Sequence, residues 1–324
     1  MTETAAAVSS ASHEAAALKV GIGRILVAID GSQMADDALS LASQIAKKYS
    51  APVDLVHINT MPSELVDKAS SGFVFHPLTS ESDKSAIEKK ELARAVVLAD
   101  EAMLLERKKS LERSGIECKE ISVSSDTSNA ASEIVRVSGE GKYDLIALGS
   151  RGMGGAKSFL LGSVSKSVVS NSKCSVLVSK IKSDSVQRIL LAYDGSESSN
   201  RALAFVTDIA KKFNSTVRLI SVISSQMISS EFVVSSAVDR LDEEMRQYAN
   251  EAVSELKASG VIVEDPKIVG ASDISYAIKQ EAEAGYYDMI ALGNRGWGKV
   301  KSFFLGSVAS GVLDSAKTNV LVVK

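Results

Sequence analysis

At 324 residues, 45% hydrophobic and 24% charged with four prolines, the chain has the composition of packed globular protein and the length of roughly two domains. Its 37 Lys and Arg against 40 Asp and Glu leave a net charge of −3 with no block of like charge, which argues against a nucleic-acid binder. No apolar run approaches the roughly 18 residues that cross a bilayer, the acidic start is unlike a signal peptide, and Cys118 and Cys174 lack metal or disulfide spacing. The expectation is a cytoplasmic protein with reduced cysteines and no membrane partner.

In chain order, residues 1–21 are small and polar and read as a loose tail, because they bury too little to offset their ordering entropy. Residues 25–29 form a short apolar run ending at Asp30, Gly31 and Ser32. After it Ala38, Leu41, Ala42, Ile45, Ala46 and Tyr49 recur at helical spacing. This is strand, turn and helix. A second strand follows at 53–58, and then a segment around 61–88 in which Phe73, Val74, Phe75 and His76 sit among polar residues; a lid or partner-binding flap is expected there. A charged helix at 88–113, a strand at 121–124, a helix at 130–137, the strand DLIALG, a glycine-rich loop, a helix from Val164 and the strand SVLVS complete the first unit.

The pattern then starts again. RILVAIDGS at 24–32 recurs as RILLAYDGS at 188–196, and GSRGMGGAKSFLLGS at 149–163 as GNRGWGKVKSFFLGS at 293–307. A repeat this long is a duplicated domain rather than a solenoid. The units are expected at 22–182 and 187–324, with a linker at 183–186. In the second unit strands are expected at 217–222, 267–269, DMIALG and NVLVV, and helices at 239–257, 274–283 and from Val308. Strand and helix alternating, with near-continuous apolar strands, mean a parallel sheet covered on both faces.

The chemistry concentrates in two loops of pattern G-x2-G-x9-G-S. They carry Gly149, Gly152, Gly162 and Ser163 in one unit and Gly293, Gly296, Gly306 and Ser307 in the other. Glycine lets backbone N–H groups approach a ligand, and Gly-Ser at the start of a helix aims free N–H groups and a positive dipole end at an anion. Neither loop has the GK[ST] of a Walker A or lies after the first strand as a dinucleotide fingerprint does, so those readings fall. Arg151, Arg295, Lys157 and Lys301 lie in or beside the loops, either as solvated side chains or to neutralise phosphate charge. His57 reads as a core or rim histidine, because its counterpart is Ser221.

These motifs, V-A-I-D-G-S, A-Y-D-G-S and the two glycine loops, resemble the universal stress protein family in its ATP-binding subclass, as a tandem two-domain member. The resemblance covers both units almost end to end. It implies an α/β fold of two tandem open parallel five-stranded sheets of order 3-2-1-4-5 with helices on both faces, the adenine nucleotide α-hydrolase-like fold. It also implies that Asp30 and Asp194 contact the nucleoside, a role that competes with helix capping for an Asp-Gly-Ser turn. Adenine would be walled by Ala28, Ile58 and Leu148, and by Ala192, Val222 and Leu292; Ala28 and Ala192 stand where some members have proline. Phosphates would meet Gly149, Arg151, Gly152, Gly162 and Ser163, and Gly293, Arg295, Gly296, Gly306 and Ser307. The implied cofactor is ATP, with Mg2+ or Mn2+ carried on its phosphates rather than on a protein metal site.

No positioned base or catalytic residue stands out. The reading is therefore an ATP-binding stress-response protein with little or no turnover. A slow ATPase or autophosphorylating enzyme acting through Ser163 or Ser307, and a nucleotide-independent docking scaffold, are the alternatives. The fifth strands are short β-branched edges expected to pair within the chain as a pseudo-dimer, which leaves a further homodimer open.

Overall fold

The computed structural model describes residues 21–59, 81–124, 129–152, 161–224, 235–296 and 305–324. The expected flap around 61–88 falls largely outside these residues, as do Lys157, Lys301 and the tail. In the first unit β1 (Ile25–Ala28), β2 (Val53–Asn59), β3 (Glu120–Ser124), β4 (Leu145–Gly149) and β5 (Ser175–Ser179) alternate with α1 (Gln33–Tyr49), α2 (Glu81–Arg113), α3 (Ala130–Glu140) and α4 (Ser163–Asn171). The second unit runs β6 (Arg188–Ala192), α5 (Glu197–Phe213), β7 (Thr216–Ser224), α6 (Ser235–Ala258), β8 (Ile262–Val263), β9 (Lys267–Ala271), α7 (Ile274–Ala284), β10 (Met289–Gly293), α8 (Ser307–Ser315) and β11 (Asn319–Val323).

Local chemistry fixes the helix ends. Ser32 and Ser196 accept the Ala35 and Ser199 N–H groups as N-caps of α1 and α5, and both helices close on left-handed residues, Ser50 and Asn214. Helix α3 runs on to Glu140, past the expected 137, because Gly141 and not an internal residue ends it. The two-residue β8 has no counterpart in the sequence expectation; its pairing with Thr216 and Val217 is too short to produce a period.

The strands form one sheet in the order β3-β2-β1-β4-β5-β11-β10-β6-β7-β8, with β9 pairing β7. Each unit is parallel throughout, with β1 flanked by β2 and β4 and β6 by β7 and β10. The two fifth strands join antiparallel, Leu177 opposite Leu321, so the edge each unit would expose is covered by the other. Alternate residues feed opposite faces. Ile25, Val27, Leu55 and Leu177 join α1, α2, α5 and α6 in one core; Leu26, Val56, Ile146 and Val176 join α3, α4, α7 and α8 in the other. Both cores run across the two units. Among the described residues no helix is long and apolar enough to cross a membrane.

Polar bonds tie the units across the join. The Tyr49 hydroxyl donates to Asp208 at 2.7 Å, and Lys166 pairs with Asp314 at 2.9 Å. Lys180, directly after β5, donates to the Leu313 and Ala316 carbonyls at the end of α8, and Lys324, directly after β11, donates to the Val169 carbonyl near the end of α4. Each unit thus places an ammonium at the negative end of the other unit's helix.

Candidate functional site

Neighbouring β1 and β4 leave the middle of the order in opposite directions, which makes their carboxyl ends the crevice where open α/β sheets take ligands. The chain turns sharply after β1. Gly31 has φ 82° and Gly195, its counterpart, φ 77°, left-handed values that favour glycine. In that turn Asp30 Oδ1 accepts the Ser32 N–H at 2.9 Å, and Asp194 Oδ1 the Ser196 N–H at 3.0 Å. Capping itself falls to Ser32 and Ser196, so the capping alternative for the two aspartates is corrected. Their position two residues ahead of the cap directs the second carboxylate oxygen at the glycine loop: a Cβ on Gly152 would stand 2.4 Å from Asp30 Oδ2, and one on Gly296 2.7 Å from Asp194 Oδ2.

The glycine loops extend the ladder and then fold back. Ser150 N–H donates to Ser179 O and Asn294 N–H to Val323 O, at 2.8 and 2.9 Å. Gly162 and Gly306 N–H then return to the Ser150 and Asn294 carbonyls at 2.7 and 2.9 Å. Both glycines are N-caps, of α4 and α8, in extended conformation and with no side-chain cap bond. The other helices with a described N-cap are α1, α3, α5 and α7, and a side chain caps each: Ser32, Asn129, Ser196 and Asp273. The first-turn N–H groups of α4 and α8 are thus left without that partner beside the exposed Ser163 and Ser307. Gly149 and Gly293 serve packing instead, since a Cβ there would stand 2.7 Å from the Met34 backbone and 2.6 Å from that of Ser198.

Ala28, Ile58 and Leu148 lie on the face of the sheet that carries α3 and α4, and Ala192, Val222 and Leu292 on the corresponding face of the second unit. Leu148 and Leu292 are buried, whereas the other four are half-buried at strand ends. Ala192 is level with Leu292 in the ladder. The structure therefore brings the expected residues of each unit to the carboxyl end of that unit's sheet, with Arg151 and Arg295 in the loops that follow β4 and β10.

His57 does not join this group. Its Nδ1 donates to the Ile29 carbonyl at 2.8 Å, and its Nε2 lies 3.2 Å from Asp100, which also accepts from Asn59. In the second unit the Ser221 hydroxyl donates to the Tyr193 carbonyl at 2.7 Å. Both side chains hold the carbonyl just before the aspartate, which explains how imidazole and hydroxyl replace one another.

Some contributors escaped the sequence reading. Ser165 donates to the Gly149 carbonyl at 2.7 Å. Ser198 accepts the Arg295 N–H at 3.1 Å, pinning the second loop to α5. Lys180 and Lys324 stand within electrostatic reach of Arg151 and Arg295, and burial, opposed in part by Asp314 and Cys174 and reinforced by those arginines, pushes both ammonium groups down to about 8. A signal for them existed, since a lysine follows the fifth strand in both halves. The cysteines are inert by contrast: burial pushes the Cys118 thiol up to about 12 and the Cys174 thiol up as well.

Comparison with known proteins follows the same division. The model of the universal stress protein family matches residues 21–180 and again 185–324. Universal stress protein YxiE of Bacillus subtilis is 32% identical over 155 residues, 48% of this chain and 97% of its own length. Universal stress protein Rv2005c of Mycobacterium tuberculosis is 26% identical over 320 residues, covering 93% of this chain and 96% of its own. A universal stress protein from Archaeoglobus fulgidus, solved by crystallography, overlays 93% of this chain and 98% of its own with a TM-score of 0.60 at 24% identity, a likeness of fold.

Proposed function

The chain belongs to the universal stress protein family, and from that premise we propose that each unit binds ATP at the carboxyl ends of its central strands, the bound nucleotide acting as a signal in the stress response with little or no turnover. One observation carries the reading. Twice among the described residues, a helix N-terminus capped by glycine, with no side-chain cap bond, opens beside a carboxylate that touches the same loop. The donors suit a phosphate tail, and the carboxylate, an acceptor only, suits ribose hydroxyls or the adenine amino group.

The residues fit the absent nucleotide. Asp30 and Asp194 would take the nucleoside, and the half-buried Ala28, Ile58, Ala192 and Val222 with Leu148 and Leu292 would wall the base. Gly152 and Ser163, and Gly296 and Ser307, would meet the phosphates with backbone N–H and hydroxyl donors at helix ends that Gly162 and Gly306 leave without a side-chain cap, with Gly149 and Gly293 holding each loop against its neighbouring helix, while Arg151 and Arg295 offset the charge. Hydrogen bonds to a charged group contribute about 1.5–3 kcal/mol each, so several are needed to hold a triphosphate. A divalent ion, Mg2+ or Mn2+, would ride on the phosphates. The same reading places the protein in the cytoplasm.

Equilibrium dialysis of stripped protein with radiolabelled ATP tests this directly. Two sites per chain are expected, Gly162→Val and Gly306→Val each removing one, because a side chain at the N-cap covers the first turn. No binding by folded, stripped protein would overturn the reading in favour of a nucleotide-independent scaffold. Sustained phosphate release that both variants abolish would move it to catalysis.

A further inference from the structure

The two units differ where β2 and β7 meet their long helices. In the first, His57 and Asn59 on β2 are buried and Asp100 on α2 is half-buried, and the three form one polar cluster. Asp100 Oδ2 accepts from Asn59 Nδ2 at 2.9 Å and stands 3.2 Å from His57 Nε2, while His57 Nδ1 is 2.8 Å from the Ile29 carbonyl. In the second unit Ser221 and Ile223 take the places of His57 and Asn59. Superposing the turns that close α2 and α6, where Gly115 and Gly260 are both left-handed, sets Leu111 on Leu256, Leu104 on Ala249 and Asp100 on Met245. All three members of the cluster are thus exchanged together.

On the reading of the two crevices as ATP sites, we infer that His57 is a positioning residue of the first: its imidazolium form fixes the end of β1 for nucleotide, so the first site loses affinity as pH rises and the second does not. Both ring nitrogens face acceptors, and only a doubly protonated ring donates to both. A neutral ring has one proton for two acceptors. Placed on Nδ1, it leaves the Nε2 lone pair against the carboxylate; placed on Nε2, it releases the Ile29 carbonyl. Ile29 directly precedes Asp30, and its N–H already donates to the Val56 carbonyl at 2.8 Å, so β2 grips this residue at both ends of its backbone. The turn that aims Asp30 starts from that grip. In the second unit one Ser221 hydroxyl meets one acceptor, the Tyr193 carbonyl, and nothing there titrates in the histidine range. Among the described residues Asp100 is the charged group in contact with His57. On the helices over this face Asp36 of α1 and Arg107 of α2 pair with each other at 2.7 Å and Asp37 accepts from Gln33, while Ser122, the β3 neighbour of His57, is uncharged.

ATP dialysis at about pH 5.5 and about pH 8 tests this on full-length chains with one site each, Gly306→Val keeping the first and Gly162→Val the second. The terminal phosphate of ATP titrates in the same range, but equally for both sites, so the ratio of the two affinities isolates the protein's share. First-site affinity relative to the second is expected to fall about fivefold from the lower pH to the higher. The double variant His57→Ser with Asp100→Met installs what the second unit carries and should flatten the ratio. Asp100→Asn should also hold first-site affinity at about pH 8, because its amide can donate to Nε2 of a neutral ring whose Nδ1 proton stays on Ile29. Nitrogen-15 NMR of the imidazoles without nucleotide reads the ring itself. The chain has three histidines, His13, His57 and His76, and His57→Ser assigns the signal. Protons on both nitrogens at about pH 5.5 are expected. A ring with a single proton there overturns the inference, as do equal pH profiles at the two sites or a profile that the folded double variant and Asp100→Asn both retain. Those results leave the nucleotide reading standing, whereas folded, stripped protein that binds no ATP at either pH overturns that reading and the positioning role together.

Discussion

Gly149 and Gly152 stand three residues apart in one loop, yet a methyl group would have different effects at the two. At Gly149 the new Cβ meets the Met34 backbone at 2.7 Å, and backbone cannot swing away. At Gly152, which is exposed, it meets the far end of the Asp30 side chain, which can. Gly149→Ala is therefore expected to destabilise the protein by about 1–3 kcal/mol, through overpacking of α1 against β4. Gly152→Ala should change stability by no more than about 0.5 kcal/mol while displacing the carboxylate assigned to the nucleoside. Urea midpoints of the two variants, read beside the ATP stoichiometry of Gly152→Ala, separate the roles: one site per chain with an unshifted midpoint is expected. Two undiminished sites would remove Asp30 from the binding role. The sequence marked both residues through the repeated glycine spacing but could not divide packing from binding, because the division depends on which side of the loop α1 lies.

At the scale of elements, strands and helices were legible because local signals agreed: apolar runs, Asp-Gly-Ser turns and helical periods coincide in both halves. The ends of α4 and α8 were legible only in part. Gly-Ser announced their N-termini, whereas their C-terminal partners, Lys180 and Lys324, come from the other unit and depend on the join of β5 to β11. Burial lowers both lysines from 10.5 to about 8. A folded-state value below the unfolded one means that the unfolded chain binds more protons between about pH 8 and about pH 10.5, so the lysines' contribution to stability rises with pH across that window. Below pH 8 both states are charged and the burial cost is borne in full. The double variant Lys180→Met with Lys324→Met lacks this term. Urea unfolding at about pH 7.5 and about pH 10 should show the stability of the unaltered protein gaining on the variant by about 1–2 kcal/mol, after discounting for residual solvent contact. A constant difference between the two proteins would mean that the ammonium groups are not held in a desolvated setting.

For the whole molecule, the repeat announced two units, while the continuity of their cores is a property of the folded chain alone. Leu177 and Leu321 face each other across the antiparallel join and belong to a core that continues from Ile25 through Val217. The halves should therefore unfold as one body, in contrast to tandem domains on a linker, which are free to melt separately. The single tryptophan, Trp297, lies in the second half of the sequence and gives a local reporter there. Leu177→Ala removes a fully buried side chain from β5 in the first half, an expected cost of about 2–5 kcal/mol. With one cooperative body, Trp297 fluorescence and far-ultraviolet circular dichroism should give coincident denaturant midpoints for the unaltered chain, and Leu177→Ala should lower both together. If the tryptophan midpoint stays fixed while the circular dichroism splits into two transitions, the shared core does not couple the halves, and the antiparallel join is then only a contact between independently stable units.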